Sequence, residues 1–358
     1  MLRARYLVGY GFFLVMLLGC AQTQPSCDVA ETINDDKYEK AYLAQYEASK
    51  QQHKDPLLAV RWVQPKNKSE ACKVYVGISA ENDKTMHPDY VLYWDGDCKN
   101  GFAYGLGREI EKSPDDGIIE QIGWYENGRA IDYCVFNDLL NGSSEEGECI
   151  YENDKASYST TTWVDETEGN FEVYMESGVG ITGTIVPIMF SRTYLFHDIG
   201  EYWKVYPNFA YAFIDYSEDE SDERSNEFYM YDMKTGQKNG YSYISYKSGE
   251  LVSIEMLNGK FVKEVVLPDA YYHKAKAIIK EIQHHTKLAL EAQEKAIALK
   301  TKYLKKICSD NVSVDFMNND EYKAICTRER ELGMKVNETL MQIEAQKKIQ
   351  REALKSGI

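Results

Sequence analysis

Short apolar and alternating runs fill the first three quarters of the chain, separated by Gly, Pro and Asn-Gly pairs. Residues 58–63 and 72–78 have the pattern of strands, and residues 149–228 contain several more runs of this kind. Before them, residues 33–54 carry tyrosines at a helical spacing, which are Tyr38, Tyr42 and Tyr46. The pattern therefore predicts one amphipathic helix and then an antiparallel, β-rich region.

Beyond Pro268 the spacing of apolar residues becomes helical. Residues 271–307 contain no Gly or Pro, and their apolar positions recur by three and four, as in a coiled coil. This Ala-rich stripe comprises Ala275, Ile278, Ile282, His285, Ala289, Ala292, Ala296, Leu299 and Tyr303. Residues 309–319 interrupt it. A second stripe then comprises Tyr322, Ile325, Leu332, Val336, Leu340 and Ile343. We expect an antiparallel helical hairpin, in which small alanines let the second helix approach closely.

These patterns predict the α+β fold class. An antiparallel β-rich domain is expected to precede a C-terminal helical hairpin of coiled-coil type. The expected divisions are a signal peptide at 1–19, a tether at 20–32, the first helix with the β-rich domain at 33–267, and the helical hairpin at 268–358.

The N-terminal stretch has the composition of an export signal. Two arginines precede an apolar run that ends at Gly19, and no acidic residue occurs before Cys20. The run is shorter than the roughly 20 residues that a membrane-spanning helix needs. Its end, Leu17-Leu18-Gly19-Cys20, resembles the lipobox of bacterial lipoproteins.

The lipobox resemblance implies cleavage between Gly19 and Cys20 and acylation of Cys20. Because Ala21 rather than Asp follows the cysteine, it also implies sorting to the outer membrane, facing the periplasm, in a cell with two membranes. Several acyl chains would anchor the protein stably, since each buried CH₂ contributes about 0.8 kcal/mol. A plain secretory signal, cut for instance after Ala21, is the alternative.

A glycine-rich motif begins at Trp94 and contains Gly96, Gly101, Gly105 and Gly107. Its Asn100-Gly101 pair predicts a two-residue hairpin turn, because both central residues of such a turn need a positive φ. The motif resembles one membrane occupation and recognition nexus (MORN) repeat, a family that usually has Tyr at the position of Trp94. The resemblance implies MORN-like hairpins and a role in protein scaffolding or in lipid association.

Partial copies of the motif follow. The second unit retains Gly123 and the Asn127-Gly128 turn, whereas Asp132 and Cys134 occupy the positions of the later glycines. A looser variant lies at 229–262. Because the units do not recur at a regular period, we expect the stack to be interrupted or to merge into an irregular sheet. The alternative to repeat ancestry is that turn chemistry alone generates such hairpins.

Composition narrows the possible partners and the state of the cysteines. The formal net charge of −16 disfavours nucleic acid and anionic lipid surfaces. In an exported chain, the seven cysteines after Cys20 favour disulfides, and the odd number leaves one unpaired, for which Cys27 is the candidate. We expect a Cys308–Cys326 disulfide at the tip of the helical hairpin, which would contribute roughly 3 kcal/mol.

No sequence motif predicts catalysis, a cofactor or a metal site. The chain has no nucleophile elbow, phosphate loop or dinucleotide fingerprint. His284 and His285 are adjacent, and neighbours on a helix point about 100° apart, so they do not chelate one ion together. We expect His285 to lie in the helical seam.

The sequence therefore predicts an envelope-tethered, non-enzymatic scaffold. It would bind the membrane through its lipid anchor and a protein partner through the sheet face or the helical hairpin. The first alternative is an enzyme with a cleft in the β-domain. Converging carboxylates in a concave pocket would favour that enzyme, whereas a continuous exposed aromatic patch would favour the scaffold. A second alternative is an immunity-like or structural lipoprotein.

Overall fold

The computed structural model describes residues 30–50, 59–78, 83–114, 117–149, 156–165, 171–181, 187–197, 199–219, 222–308 and 320–356. Gly19, Cys20 and Cys27 lie outside the described residues, as does the segment 309–319 between the predicted C-terminal helices.

Nineteen strands and three helices occupy the described ranges. The strands are β1 (Glu31–Thr32), β2 (Ala59–Val63), β3 (Val74–Ile78), β4 (Val91–Trp94), β5 (Asp97–Lys99), β6 (Phe102–Ser113), β7 (Gly117–Glu126), β8 (Arg129–Asp138), β9 (Ser143–Glu148), β10 (Ala156–Asp165), β11 (Glu172–Ile181), β12 (Ile188–Tyr194), β13 (Gly200–Val205), β14 (Phe209–Asp215), β15 (Arg224–Asp232), β16 (Gln237–Lys238), β17 (Gly240–Tyr246), β18 (Leu251–Leu257) and β19 (Lys260–Val266). The helices are α1 (Lys37–Lys50), α2 (Asp269–Ile307) and α3 (Asp320–Ser356). The α+β class predicted from the sequence is confirmed.

Most strands form one antiparallel sheet in which neighbours in sequence are neighbours in space. From β6 onwards each strand pairs with the next, and only the short β16 is bypassed, by a β15–β17 pairing. At one end β4 and β5 pair with β6, and at the other end β1 lies parallel to β19. Strands β2 and β3 form a separate hairpin. Of the two arrangements expected for the repeats, an interrupted stack or an irregular sheet, the hairpins follow the second, since they continue through one sheet with local register shifts.

Helix α1 packs its tyrosine face on the sheet. The rings of Tyr42 and Phe209 stack with centroids 5.2 Å apart, and Tyr46 meets Tyr206 edge to face at 4.9 Å. The Tyr42 hydroxyl also donates to an Asp232 carboxylate oxygen at 2.7 Å. The Tyr42 ring thus contributes buried apolar area while its hydroxyl keeps a polar partner. The helix begins at Lys37, four residues after the predicted start at 33, and residues 51–54 of the predicted helix lie outside the described residues.

The Ala-rich seam of α2 faces the sheet. Ala289 and Ala296 are fully buried, and α2 crosses the strands from β13 to β7. Small side chains of the sheet are buried along this path, and the Thr286 hydroxyl contacts one of them, Ser191 Oγ, at 3.1 Å. The expectation that α3 would fill this seam is wrong, because a single-layer sheet must cover its own apolar face and α2 provides that cover.

Helix α3 returns along the same face in the direction opposite to α2. Near its start, Arg328 donates to Glu120 of β7 at 2.6 Å, and further on the Lys335 ammonium lies 4.5 Å from the Phe171 ring centroid, beside β11. The two helices meet near their connection, where Lys300 pairs with Glu329 at 3.4 Å. The C-terminal helices are therefore a pair that lies on the sheet.

The packing of α2 gives a stability prediction. Replacement of Ala289 by Asp places a charge in the fully buried seam, and an uncompensated buried charge destabilises by about 3–5 kcal/mol. The matched control is Leu290→Asp at the next position, where the side chain is 42% exposed. Urea unfolding should show a large loss for Ala289→Asp and little for the control. Equal stabilities would contradict the close packing of α2 on the sheet.

Candidate interaction surface

The glycine motif forms a socket for one tryptophan. Trp94 is fully buried, its indole N–H donates to the Asp97 carbonyl at 2.9 Å, and its ring lies 4.3 Å from the Tyr125 ring. A Cβ on Gly96 or Gly107 would overlap the indole ring. These two glycines are thus needed because the ring occupies the space that a side chain would fill.

The predicted turn glycines lie in tight hairpin turns. Asn100 and Gly101 have φ values of 54° and 84°, and Asn127 and Gly128 have 48° and 78°, as a two-residue turn of this kind requires. Four residues after the first turn glycine, Gly105 has a φ of 82°, and Asp132 holds the same place after Gly128 with a φ of 59°. The second unit therefore keeps the backbone shape of the first where it has lost the glycine.

Six cysteines lie within bonding distance in three pairs, Cys72–Cys98, Cys134–Cys149 and Cys308–Cys326. The first pair links the segment before β3 to β5, beside the Trp94 socket. The second links β8 to the end of β9. The third, which the sequence suggested, joins the end of α2 to the first turns of α3 with Cα atoms 5.9 Å apart.

One face of the sheet carries the three helices. On the opposite face the side chains of β10–β13 are half-exposed, whereas Ala212, Ile214 and Tyr229 on β14 and β15 are buried. Ser177 and Ser191 lie beneath α2, so Glu176 and Arg192, their neighbours in sequence, point the other way. The same alternation places Trp203 opposite Tyr202, which belongs to the helix side. We call this surface the open face.

A row of charges crosses the centre of the open face. Arg192 lies between Glu176 and Glu201 on the flanking strands, donates to Glu176 at 2.7 Å and to Glu201 at 3.4 Å, and has a side chain 30% exposed. Burial alone would lower the pKa of Arg192, but the hydrogen bond and negative charge of Glu176 outweigh it and raise that pKa. The guanidinium is thus a fixed, half-exposed cation.

Aromatic side chains line both sides of this charge row. On one side, the Trp163 and Tyr174 rings stack 5.2 Å apart, and Tyr194 follows at 5.9 Å from Tyr174. On the other side, Phe190 stacks with Trp203 at 6.4 Å. All five are half-buried, so their outward edges stay accessible. The result is two aromatic strips across β10–β13 with the charge row between them.

Next to these strips, two buried tyrosine rings contact cations. Lys238 lies 4.1 Å from the Tyr229 ring centroid, and the Arg224 guanidinium lies 4.1 Å from that of Tyr216. Burial raises the pKa of Tyr216 to about 12. Both rings are buried with their cations in place, so they support the fold and do not extend the accessible surface.

A cleft of about 780 Å³ lies on the helix side, between α3 and the ends of β8–β10. Its volume suits a small molecule. Two of its carboxylates already have partners, since Asp138 accepts from the backbone N–H groups of Leu140 and Asn141 at 3.0 Å each and Glu329 pairs with Lys300. Glu331 is the third carboxylate among the described lining residues.

A buried carboxyl group lies near the Trp94 socket. Glu109 is almost completely buried and accepts a 2.7 Å hydrogen bond from the Tyr125 hydroxyl. Burial raises the pKa of Glu109 well above its ordinary value, and repulsion by Glu111 raises it further. Glu111 is itself held by Lys84 at 2.7 Å and by the Tyr90 hydroxyl at 3.0 Å. The two carboxyls are enclosed by their own partners.

His285 lies in the α2 seam, with its Nδ1 atom 3.4 Å from the Tyr158 hydroxyl, and burial lowers its pKa. Within the described ranges no cluster of three or more His, Cys, Asp or Glu side chains is arranged to hold a metal ion. Among the described helices, none has the length and apolar character needed to cross a membrane.

Comparison with models of known protein families finds no match, and neither does comparison with curated proteins. The lipobox and MORN resemblances therefore stay predictions from the sequence.

The open face was not singled out from the sequence. Its signal is present as alternation, since Phe190, Arg192 and Tyr194 stand two residues apart, as do Glu201 and Trp203. The sequence does not show which face of the sheet the helices cover. No sequence pattern indicates the cleft, because its lining residues come from segments far apart in the chain.

The Trp94 socket can be tested with a single methyl group. In Gly107→Ala the new Cβ would lie 2.5 Å from Trp94 Cη2, so the fully buried ring must move, at a cost of about 1–3 kcal/mol. Gly77→Ala is the control, since nothing lies within 4 Å of a Cβ built there. Thermal unfolding should separate the two variants. A Gly107→Ala protein as stable as the control would contradict the socket.

The buried Glu109 gives a pH prediction. Because its native pKa lies above the ordinary 4.5, the folded protein holds the proton more tightly than the unfolded chain, and stability falls as the pH rises above that value. Glu109→Gln removes this contribution, so its stability relative to wild type should increase with pH. Urea unfolding from pH 4 upwards, to about pH 8, measures the difference. Glu126→Gln, at an exposed site, should run parallel to wild type, and parallel curves for Glu109→Gln would refute the assignment.

Proposed function

We propose that this chain is a bacterial envelope lipoprotein, tethered to the outer membrane through acylated Cys20, whose folded part is a non-enzymatic scaffold for a protein partner. The tether is supported by the Leu17-Leu18-Gly19-Cys20 motif that ends the apolar run. The hairpin turns and the Trp94 socket support the MORN-like ancestry, since each glycine of the motif has a backbone or packing role.

The observation that carries the scaffold proposal is the open face. It combines Trp and Tyr rings with a half-exposed Arg, the residue types that dominate the binding energy of protein interfaces. The aromatic residues form two strips that flank the charge row, and apolar groups gathered on a protein surface mark interaction sites. Arg192 is fixed by Glu176 and Glu201 before any partner arrives, so little side-chain freedom is lost on binding.

Charge supports a protein partner over nucleic acid or an anionic surface. The formal net charge is −16, and on the open face Arg192 is already neutralised by two glutamates. Such a surface repels phosphate groups at long range. A partner with apolar side chains around a small polar centre would complement it.

The cleft beside α3 favours the alternative of an enzyme or a small-molecule binding protein. Its mouth holds Arg328 and Lys335, and its walls include Leu332 and Val164. Its carboxylates Asp138 and Glu329 are engaged in capping and ion pairing, which argues for ligand binding over hydrolysis. The immunity-like or structural lipoprotein gains no support from a particular residue.

The proposal is tested on the chain purified from membranes. Intact-mass measurement should find acyl chains on Cys20, and gentle crosslinking should identify a stoichiometric partner. With that partner purified, Trp203→Ala should weaken binding about 30-fold or more, the range of interface hot spots. The control Ile297→Ala removes a 39% exposed side chain on α2 and should bind normally.

Two outcomes would refute the proposal. A chain that begins after Cys20 and carries no lipid would remove the anchor. A Trp203→Ala protein that melts like wild type and binds the partner equally well would remove the open face as the binding site. Calorimetric titration and thermal melting of the same samples separate lost binding from lost folding.

A further inference from the structure

Exposed apolar side chains concentrate on the last hairpin of the sheet. Among the described residues, those on β18 and β19 with large exposed fractions are Leu251 at 50%, Leu257 at 46%, Phe261 at 60%, Val262 at 47% and Val266 at 48%. Phe261, the one aromatic residue of the five, has the largest exposed fraction. A cluster of this kind on a soluble surface marks a place where something else binds.

The hairpin is also the edge of the sheet. Strand β1 pairs with β19 only at Val265 and Val266, where Glu31 and Thr32 are the partners. Within the described residues, no strand pairs with the outer edge at residues 260–264. Native proteins seldom leave an apolar edge strand uncovered, because it pairs readily with other chains.

The chain enters the fold beside this same edge. The described residues begin at Ala30 and join β19 at once, and Cys20 precedes Ala30 by ten residues. Because an extended residue spans at most about 3.6 Å, the lipid attachment site stays within about 36 Å of β19. The exposed apolar edge is therefore held next to whatever surface carries the anchor.

We propose that the β19 edge docks on the membrane interface, with Phe261 and Val262 inserted between lipid headgroups beside the anchor. The inference rests on the proposed acylation of Cys20 and adds the orientation of the fold. Among the described residues, the outer backbone groups of residues 260–264 have no strand partner, and they would meet hydrated headgroups, which limits insertion to the interface. A bilayer thus covers the apolar side chains without stranding backbone groups in hydrocarbon.

Charges around the edge make docking independent of lipid charge. Lys263 pairs with Glu31 and with Glu255, and Lys37 pairs with Glu255 at 3.0 Å. Paired cations give little attraction to anionic headgroups, so apolar insertion supplies the contact. The docking should occur on phosphatidylcholine and should be insensitive to salt.

Docking at this edge would orient the whole sheet. The strands from β19 to β6 would succeed each other away from the bilayer, with spacings of roughly 4.8 Å per strand. The open face would then stand upright from the membrane, and the Trp94 socket would be at the far end.

The test uses the acylated full chain in phosphatidylcholine vesicles with a photocrosslinker in place of one residue. Phe261→p-benzoylphenylalanine should yield a lipid adduct on irradiation, at least tenfold more than the control Ile188→p-benzoylphenylalanine. Ile188 is 49% exposed on β12, about 30 Å away across the intervening strands at roughly 4.8 Å each. The adduct yield should be the same at low and high salt.

Each other outcome decides against the inference. An acylated chain with no lipid adduct at 261, or with equal adducts at 261 and 188, overturns the docking while the anchor stands. A chain-to-chain adduct at 261 makes the edge an interface between two copies and also overturns it. An intact mass without acyl groups on Cys20 refutes the anchor and the orientation together, and the same sample reports this independently of crosslinking.

Discussion

The architecture depends on how α2 lies on a sheet that is one layer thick. Among the described residues, the only second sheet is the short β2–β3 hairpin, which packs at the Trp94 end, so a helix must cover the rest of the apolar side. Ala289, Ala292 and Ala296 allow this because their short side chains bring the helix axis near the strands, where Ser and Thr side chains lie beneath. Larger residues on either side would hold the helix away and open a gap.

Polar contacts fix where along the sheet α2 and α3 sit. Apolar packing on small residues lets a helix shift along the sheet, whereas a buried hydrogen bond forms at only one position of the helix. Tyr303 donates to the buried Asp95, and Lys300 contacts Glu146 at 3.0 Å. Since a buried charge without its partner is strongly destabilising, a shifted helix would be penalised at these points.

The sequence predicted the helices and strands better than it predicted what each of them packs against. The α+β class and the long C-terminal helices follow from periodicity, and the tight turns follow from Asn-Gly chemistry. The covering of the sheet by α2 was missed, because an alanine stripe with a three-and-four spacing looks the same whether it meets a helix or a sheet. The sequence left open whether the repeats are interrupted or merge into one sheet, since Asp132 holds the left-handed backbone position that glycine holds in the first unit.

The order of strands has a consequence for folding. Each strand from β6 to β19 pairs with its neighbour in sequence, so most contacts close short loops and can form quickly as the chain emerges. Helix α2 comes after all of them and crosses strands far back in the chain. Until it docks, the part of the helix side that α1 does not cover is exposed to water. The slow, aggregation-prone step of folding is therefore the arrival of the last part of the chain, and a chaperone that shields this side would be needed only until α2 is in place.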